Sequence, residues 1–211
     1  MTKPSNNPSL AASFAARSTD ELAAHYAGWA ATYDAENAAA GLRLPLVCSA
    51  FFARHVPAGD TPILDAGCGT GACGDNLAIL GYRGLVGIDL SLPMLDAAAS
   101  LGIYERLRPM QLGGPLDFAD GHFAAVICSG VFTAGHASHD SFDELIRVTR
   151  PAGSIVFSVR NDISQQLGFR QRQDQLADVR KWRLREASEP FRPFTVSEPE
   201  IRARVFVYEV E

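Results

Sequence analysis

The residues with the clearest chemical meaning form a glycine-rich loop after a short apolar run. Residues 63–71 read Ile-Leu-Asp-Ala-Gly-Cys-Gly-Thr-Gly, so that Asp65 is followed by three glycines at alternate positions. Glycine lacks a Cβ, which allows the backbone to turn sharply and to approach a ligand closely. A second acid, Asp89, ends the next apolar run, where its carboxylate can accept hydrogen bonds from a ribose diol. The pattern predicts an α/β domain that binds a nucleoside-containing cofactor near residue 65.

This loop and several later segments resemble, in order, the motifs of the class I S-adenosylmethionine (SAM)-dependent methyltransferases. Asp65–Gly71, with the sequence D-A-G-C-G-T-G, is similar to the first motif of that family at every position. Asp89, in Val86–Ser91, resembles the acid of the family's second strand. Pro115–Val126 resembles the segment before its fourth strand, and Arg150–Ser154 resembles its R-P-G-G turn before strand five. The resemblance implies that SAM is the cofactor and S-adenosylhomocysteine the product.

Shorter resemblances concern the N-terminal helices and the subgroup. Tyr26–Asp34 resembles the family's Y-x-x-W-A-x-x-Y-D segment, which covers the SAM site. By this resemblance Tyr26 and Tyr33 would line the cofactor pocket, and their helix would act as a lid. Aromatic residues at this helical spacing are also typical of an ordinary core, which is the alternative. The surroundings of Gly102–Tyr104 and Gly130–Phe132 resemble the small methyltransferases of the Williams–Beuren-region type.

The glycine loop is compatible with two other interpretations. Gly67, Gly69 and Ala72 also satisfy the dinucleotide pattern G-x-G-x-x-G/A, which is a weak signal by itself. The loop also fits a tight strand-to-helix turn that binds no ligand. Asp65 favours SAM, because the methionine ammonium needs a nearby acceptor, whereas a pyrophosphate gains nothing from a carboxylate.

The family resemblance implies a role for each residue around this cofactor. Asp65 would receive the ammonium, directly or through water, and Asp89 would accept both ribose hydroxyls. Leu90 and Met94 would contact the adenine. Leu112 occupies the position where many relatives carry an acid for the adenine amino group, so we expect main-chain and apolar contacts there. The expected cofactor-binding residues are Tyr26, Tyr33, Asp65, Ala66, Gly67, Gly69, Gly71, Asp89, Leu90, Met94, Leu112, Ser129 and Gly130.

The expected reaction is methyl transfer from SAM to an O, N or C nucleophile on a small molecule. The methyl group of a sulfonium is already electrophilic, so the protein needs mainly to align the reactants and exclude water. His136 and His139 follow the expected strand-four exit, and either is a candidate general base because histidine titrates near neutrality. The alternative for both is a solvated loop histidine.

Other functions and the acceptor site stay open at this point. The alternatives are a SAM-fold protein that uses its cofactor without methyl transfer, for example in a cyclisation, an NAD(P)-dependent oxidoreductase, and a regulatory binding module. Arg160 and Asn161, just after the expected fifth strand, are candidates for binding a polar acceptor. Aromatic residues that fit either an apolar acceptor pocket or ordinary packing are Phe132, Phe169, Trp182, Phe191 and Phe194.

Composition limits the compartment and the partners. The 211 residues include 19 basic and 24 acidic side chains, and the net charge of −5 argues against a nucleic-acid backbone as substrate. No apolar run approaches the roughly 18 residues of a transmembrane helix, and no signal-peptide core is present, so a cytoplasmic protein without a membrane partner is expected. Cysteines without metal-like spacing, which we expect to be buried thiols, are Cys48, Cys68, Cys73 and Cys128.

Alternating strand and helix patterns predict an α/β, Rossmann-like, doubly wound sheet with mainly parallel strands. The family resemblance adds a reversed final strand and a total of seven strands. We expect residues 1–18 to be mobile and 19–211 to form a single domain. Within that domain we expect lid helices over 19–56, the SAM-binding core over 61–160, and a C-terminal helix and strand pair over 161–211. Strand three is predicted at Leu107–Leu112.

Overall fold

The computed structural model describes residues 7–16, 18–133, 135–164 and 166–211. After residue 62, helices separate most of the successive strands, as the sequence pattern predicts. The strands are β1 (Ile63–Ala66), β2 (Leu85–Asp89), β3 (Tyr104–Pro109), β4 (Phe123–Phe132), β5 (Thr149–Arg160), β6 (Trp182–Ala187) and β7 (Ala203–Val210). The helices are α1 (Pro8–Ala15), α2 (Thr19–Trp29), α3 (Tyr33–Ala40), α4 (Leu44–His55), α5 (Ala72–Ile79), α6 (Leu92–Ser100), α7 (Ser141–Val148), α8 (Asn161–Ser164) and α9 (Phe169–Asp178).

The strands form one seven-stranded sheet in the order β3-β2-β1-β4-β5-β7-β6. The pairs among β1 to β5 are parallel, whereas β7 is antiparallel to both of its neighbours. The expected fold class and its reversed final strand are therefore confirmed. The chain order reverses between β1 and β4, and the crevice outside the carboxyl ends of such strands is where doubly wound sheets bind ligands.

Both faces of the central strands are buried, which is why their sequences are almost continuously apolar. Successive side chains point to opposite faces, so Leu64 belongs to one apolar cluster and Ile63 to the other. The first cluster contains a stack in which the rings of Trp182 and Tyr208 lie 4.1 Å apart. These two clusters fix the sheet, and with it the loops that leave its carboxyl edge.

The N-terminal segment differs from the expectation in one stretch. Residues 8–15 form α1 instead of a mobile segment, because the Asn7 side chain accepts hydrogen bonds from the N–H groups of Ser9 and Leu10 and Pro8 starts the helix. The rest of that expectation, for residues 1–6 and 17, lies outside the described residues. The next helix, α2, is capped by Ser18, whose Oγ accepts a hydrogen bond from Glu21 N at 3.2 Å.

Two element boundaries also differ from the sequence pattern. Strand three is Tyr104–Pro109 rather than Leu107–Leu112, because the pairing with β2 places Tyr104 opposite Leu85 and Pro109 opposite Asp89. This shift leaves residues 110–112 free to turn over the sheet edge. The helix-prone stretch after β5 is divided into α8 and α9, with Gly168 in the left-handed region at φ 73°. Within the described residues, no helix is long and apolar enough to cross a membrane.

Candidate functional site

The glycine loop turns the chain from β1 to α5 and is held by the carboxylate that ends β2. Asp89 Oδ2 accepts a hydrogen bond from Gly69 N at 2.9 Å, and its Oδ1 accepts from Ser91 N at 2.9 Å. Gly69 has φ 54°, a conformation that L side chains rarely adopt. A Cβ on Gly67 would lie 2.3 Å from Val131 Cγ2, so this glycine is also needed for close approach. Burial raises the pKa of Asp89, and these backbone donors oppose the rise.

A central cavity opens beside this loop and encloses about 810 Å³, including its mouth. It lies at the carboxyl edge of the sheet and is covered by α2. The sequence-predicted residues that line it are Tyr26, Tyr33, Gly67, Gly69, Asp89, Leu90, Met94, Leu112, Ser129, Gly130 and His136. Lining residues that sequence reasoning did not assign to the site are Thr19, Leu22, Met110, Gln111, Val131, Gly135 and Ala137.

Gln111 is the most informative of these additions. It directly precedes Leu112, whose side chain is buried in the cavity wall. Gln111 Nε2 donates a hydrogen bond to Thr19 Oγ1 at 2.8 Å, which joins this edge to the start of α2. An amide therefore lies where the sequence indicated only main-chain and apolar contacts. The signal available in the sequence was a polar residue next to the position that carries an acid in many relatives.

Ser129 and Gly130 reach the cavity through an irregularity in β4. The pairing with β5 shifts register between Cys128 and Phe132, and Gly130 has φ 76° within the strand. Gly130 N donates to Ser158 Oγ at 2.9 Å instead of continuing the ladder. Such bulges re-aim side chains near functional sites.

The aromatic face of α2 closes the cavity from above. Tyr26 Oη lies 2.7 Å from His136 Nε2, which ties the helix to the loop after β4. The rings of Trp29 and Tyr33 meet edge to face at 4.7 Å between centroids. Burial raises the pKa of both tyrosines, so their hydroxyl groups stay protonated near neutral pH. Tyr26 lies in α2 whereas Tyr33 starts α3, so the expected single helix is divided in two. The rings of Tyr26 and Tyr33 pack together and line the cavity, and the lid role stays a prediction.

Asp65 lies on the other side of the loop, not in the central cavity. Its side chain lines a polar chamber, which we define by Asp34, Asp65, Thr70, Asp75 and Asn76. Gly67 and Gly69 line both spaces, so the loop separates Asp65 from Asp89. Burial raises the pKa of Asp65 to about 7, the hydrogen bond from Tyr104 opposes this rise, and Asp89 adds to it.

Tyr104 is a site residue that sequence reasoning missed. Its hydroxyl donates to Asp65 Oδ2 at 2.7 Å from the far side of β2. A Cβ on Gly74 would lie 2.2 Å from Tyr104 Oη, and one on Gly87 would lie 3.1 Å from its Cε1. The two glycines thus leave a slot for the ring, and Gly71 bounds its other edge with a Cβ position 3.3 Å from Cε2. No local pattern indicates this contact, because Tyr104 and Asp65 are 39 positions apart.

Three predicted site residues are placed elsewhere. Ala66 is buried in the core of the sheet, because its side chain points away from the loop. Gly71 caps α5, and a Cβ there would lie 2.7 Å from Leu101 Cδ1, so it serves packing. His139 turns away from the cavity and packs its ring 6.1 Å from that of Phe169. His136 is the expected histidine that reaches the cavity.

An apolar chamber adjoins the central cavity on the β5 side and encloses about 720 Å³, including its mouth. We define it by Leu10, Phe14, Trp29, Leu44, Phe132, Arg160, Phe194 and Ile201. Of the aromatic candidates, Phe132 and Phe194 line it, whereas Phe169 and Trp182 are buried in the core and Phe191 packs against the second apolar cluster. Asn161, the first residue of α8, does not line it.

The central cavity, the polar chamber and the apolar chamber share two lining residues. Tyr33 and Ser129 line the central cavity, the polar chamber and the apolar chamber. Tyr26, Gly130 and His136 line the central cavity and the apolar chamber. A ligand that extends from Asp89 toward Asp65 would pass this junction. The residues therefore fit a nucleoside joined to a cationic amino acid, with room for a second molecule on the apolar side.

Comparison with known proteins agrees with this geometry. Residues 63–153 match the family model described as a methyltransferase domain. Residues 63–153 thus form a methyltransferase domain, and the sheet has the strand order and reversed final strand expected from the resemblance to class I SAM-dependent methyltransferases. It is similar to methyltransferase-like protein 27 of Homo sapiens, with 33% identity over 142 residues that cover 66% of this chain and 58% of that protein.

Solved structures extend the similarity of fold. A TehB-like SAM-dependent methyltransferase from Corynebacterium glutamicum matches with a TM-score of 0.65 and 21% identity, over 89% of this chain and 99% of that one. The geranyl diphosphate C-methyltransferase of Streptomyces coelicolor, solved with Mg²⁺, geranyl diphosphate and S-adenosyl-L-homocysteine, matches with a TM-score of 0.58 and 18% identity, over 80% of each chain. The narrower resemblance to the Williams–Beuren-region type stays a prediction.

Proposed function

We propose that this protein transfers a methyl group from SAM to a nucleophile on a small-molecule acceptor. The observation that carries the proposal is the junction at Tyr33 and Ser129, where a cavity with a ribose-binding acid meets both a carboxylate chamber and an apolar chamber. A cofactor and an acceptor bound in these spaces would meet there. The acidic net charge and the size of the chambers support a small acceptor over a nucleic acid.

The proposed cofactor-binding residues divide according to the parts of SAM. Each Asp89 oxygen accepts one backbone N–H, and a carboxylate oxygen has a second lone pair that can accept a ribose hydroxyl. Leu90, Met94 and Leu112 provide the apolar wall for adenine. Asp65 provides the carboxylate for the methionine ammonium in the polar chamber.

When bound, SAM supplies an electrophilic methyl group on a sulfonium. The described residues contribute by holding the reactants in position and by excluding water. Tyr26, Trp29 and Tyr33 cover the junction and exclude water, which favours an in-line arrangement of the reacting atoms. His136 lies at the boundary of the central cavity and the apolar chamber, where its imidazole can take a proton from the acceptor.

The test is isothermal titration of the protein with SAM, S-adenosylhomocysteine and NADH. We expect micromolar affinity for SAM and S-adenosylhomocysteine, and at least about tenfold weaker binding after Asp89→Ala, because the ribose loses a charged acceptor. Asp96→Ala, which removes an exposed acid from α6, should bind as the wild type does. Tight binding of NADH without binding of SAM would contradict the proposal and make the loop a dinucleotide site.

A further inference from the structure

We propose that the acceptor is an uncharged, ring-bearing molecule whose nucleophile is a hydroxyl group, and that it binds in the apolar chamber. This inference rests on the proposed methyl transfer and adds the chemical class of the acceptor. It is carried by the lining, charge balance and hydrogen-bonding capacity of the chamber.

The lining of the chamber is mainly aromatic and aliphatic. Phe14 and Leu10 from α1, Trp29 from α2 and Leu44 from α4 contribute to it. Phe132 and the C-terminal residues Pro193, Phe194, Ile201 and Ala203 complete the apolar part. Aromatic side chains in the lining favour a ring, because aromatic groups gain from stacked and edge-to-face contacts as well as from burial.

The charges of the chamber are already balanced. Its described lining residues include no Asp or Glu, and Arg160 is the permanently charged group among them. Arg160 donates to both carboxylate oxygens of Asp162, at 3.1 and 2.6 Å, and its guanidinium lies 4.3 Å from the ring centre of Phe14. A cationic acceptor finds no counter-ion there, and an anionic one meets a guanidinium whose charge Asp162 already neutralises. Since an unpaired buried charge is costly, an uncharged acceptor is favoured.

One buried hydroxyl group in the lining of the apolar chamber is available to form a hydrogen bond with a ligand. Thr133 is 6% exposed, and its Oγ1 has no hydrogen-bond partner among the described residues. Leaving a buried hydroxyl unpaired costs about 1–3 kcal/mol, so a ligand oxygen that pairs with it would stabilise the complex. The acceptor is therefore expected to carry a hydroxyl group rather than to be a pure hydrocarbon.

The imidazole of His136 can accept the proton of that hydroxyl group. His136 lies beside Tyr26 at the boundary of the two spaces, and the tyrosine hydroxyl holds the imidazole in position at 2.7 Å. A lone pair of the acceptor oxygen forms the new O–C bond while the C–S bond breaks and its electron pair stays on sulfur. The hydroxyl proton passes to the His136 imidazole, which leaves a neutral methyl ether and S-adenosylhomocysteine.

The experiment titrates 2-naphthol and its charged counterpart 2-naphthoate into the protein, with and without saturating S-adenosylhomocysteine. We expect 2-naphthol to bind at least about tenfold more tightly than 2-naphthoate. Ile201→Trp fills the chamber from its C-terminal side and should weaken 2-naphthol binding by about tenfold or more, while the affinity for S-adenosylhomocysteine is unchanged. Val196→Trp adds the same bulk on the same segment at a residue that is 74% exposed, and should change neither affinity.

Two results would overturn the inference. Equal or tighter binding of 2-naphthoate, or no binding of 2-naphthol at millimolar concentration, would contradict the acceptor class. Unchanged 2-naphthol binding in Ile201→Trp would contradict the location. Failure to bind S-adenosylhomocysteine would instead contradict the proposed function, and the titration of 2-naphthol without cofactor separates the two failures.

Discussion

Asp65 is a buried carboxyl group whose pKa is raised mainly by its burial. Six titratable groups from neighbouring elements interact with it electrostatically. They are Cys68 in the loop, Cys73 in α5, Cys48 in α4, Cys128 in β4, Asp89 in β2 and Tyr104 in β3. None of these groups is a cation, so burial keeps the pKa raised to about 7. A bound ammonium would supply the missing positive charge, and ligand binding should be coupled to loss of the Asp65 proton.

We therefore expect the affinity for SAM to rise with pH through about 7 and to fall again at higher pH, where the ammonium of the ligand loses its proton. The sign follows because the ionised carboxylate binds the ammonium and the protonated form does not. Tyr104→Phe removes the hydrogen bond that favours ionisation, so the midpoint should move to higher pH and the affinity near pH 7 should fall severalfold. Titration calorimetry from about pH 6 to pH 9 measures both effects.

The control is Tyr82→Phe, which removes another buried tyrosine hydroxyl, one that donates to Val56 O away from the site. It should lower stability without moving the midpoint. Affinity that is independent of pH, or a midpoint that is the same in Tyr104→Phe, would show that Asp65 does not receive the ammonium and that Tyr104 has only a packing role.

The sequence predicted those site residues whose signal is local. The glycine loop and Asp89 are recognisable because they follow apolar runs at fixed places, and the sheet brings them together at a 2.9 Å hydrogen bond. Tyr104 was not predictable in this way, and Arg160, Phe132 and Phe194 were identified from the sequence only as open candidates for an acceptor site. Their meaning depends on contacts between strands and helices far apart in sequence, such as the approach of Phe14 to Arg160.

At the scale of elements, α1 is held over the site by close contact with one glycine. A Cβ on Gly135 would lie 3.1 to 3.4 Å from the carbonyl oxygens of Ser13, Phe14 and Ala16 at the end of α1. Asn7 N, at the other end of this helix, donates to Glu198 Oε1 at 3.2 Å. Because Leu10 and Phe14 line the apolar chamber, the position of α1 determines whether that chamber is closed.

We therefore expect Gly135→Ala to destabilise the packing of α1 against this loop, because the added Cβ would press on the carbonyl oxygens of the helix. This effect comes in addition to the strain of placing alanine at a positive φ. Hydrogen exchange of residues 9–15 should become faster, and 2-naphthol should bind more weakly. Gly121→Ala is the matched control, because Gly121 has φ 63° but its nearest contact lies at 3.5 Å. It carries a similar conformational cost of about 1–2 kcal/mol without pressing on α1. Equal exchange of residues 9–15 in the two variants would contradict a role for this contact in closing the chamber.

Element types were more predictable than element ends. Strand β1 coincides with the apolar run before the glycine loop, because Pro62 and Gly67 border it. Strand three was placed three residues too late, because its charged residues hide the alternation and its register is set by β2. Helix α1 was missed because its composition is that of a mobile segment, whereas its stability comes from the Asn7 cap and from packing on other elements.

At the scale of the whole molecule, charge distinguishes the proposed cofactor from its product. The protein has a net charge of −5, and the acids Asp34, Asp65, Asp75 and Asp89 surround the glycine loop. SAM carries one more positive charge than S-adenosylhomocysteine, because the sulfonium is lost on transfer. The field of the protein should thus attract the substrate form more than the product form.

This difference predicts a salt dependence that separates the two ligands. Raising ionic strength from about 0.02 to 0.5 M shortens the screening length to a few ångströms, so SAM should lose more affinity than S-adenosylhomocysteine, by about two- to fivefold. Titrations of both ligands at matched pH measure the ratio of their dissociation constants, with Asp34→Asn and Asp75→Asn as variants that reduce the local negative charge. These variants should weaken SAM more than S-adenosylhomocysteine and flatten the salt dependence of the ratio. A ratio that does not change with salt would mean that the sulfonium charge is balanced by direct contacts at the junction, and that the acids around the loop do not select the substrate form.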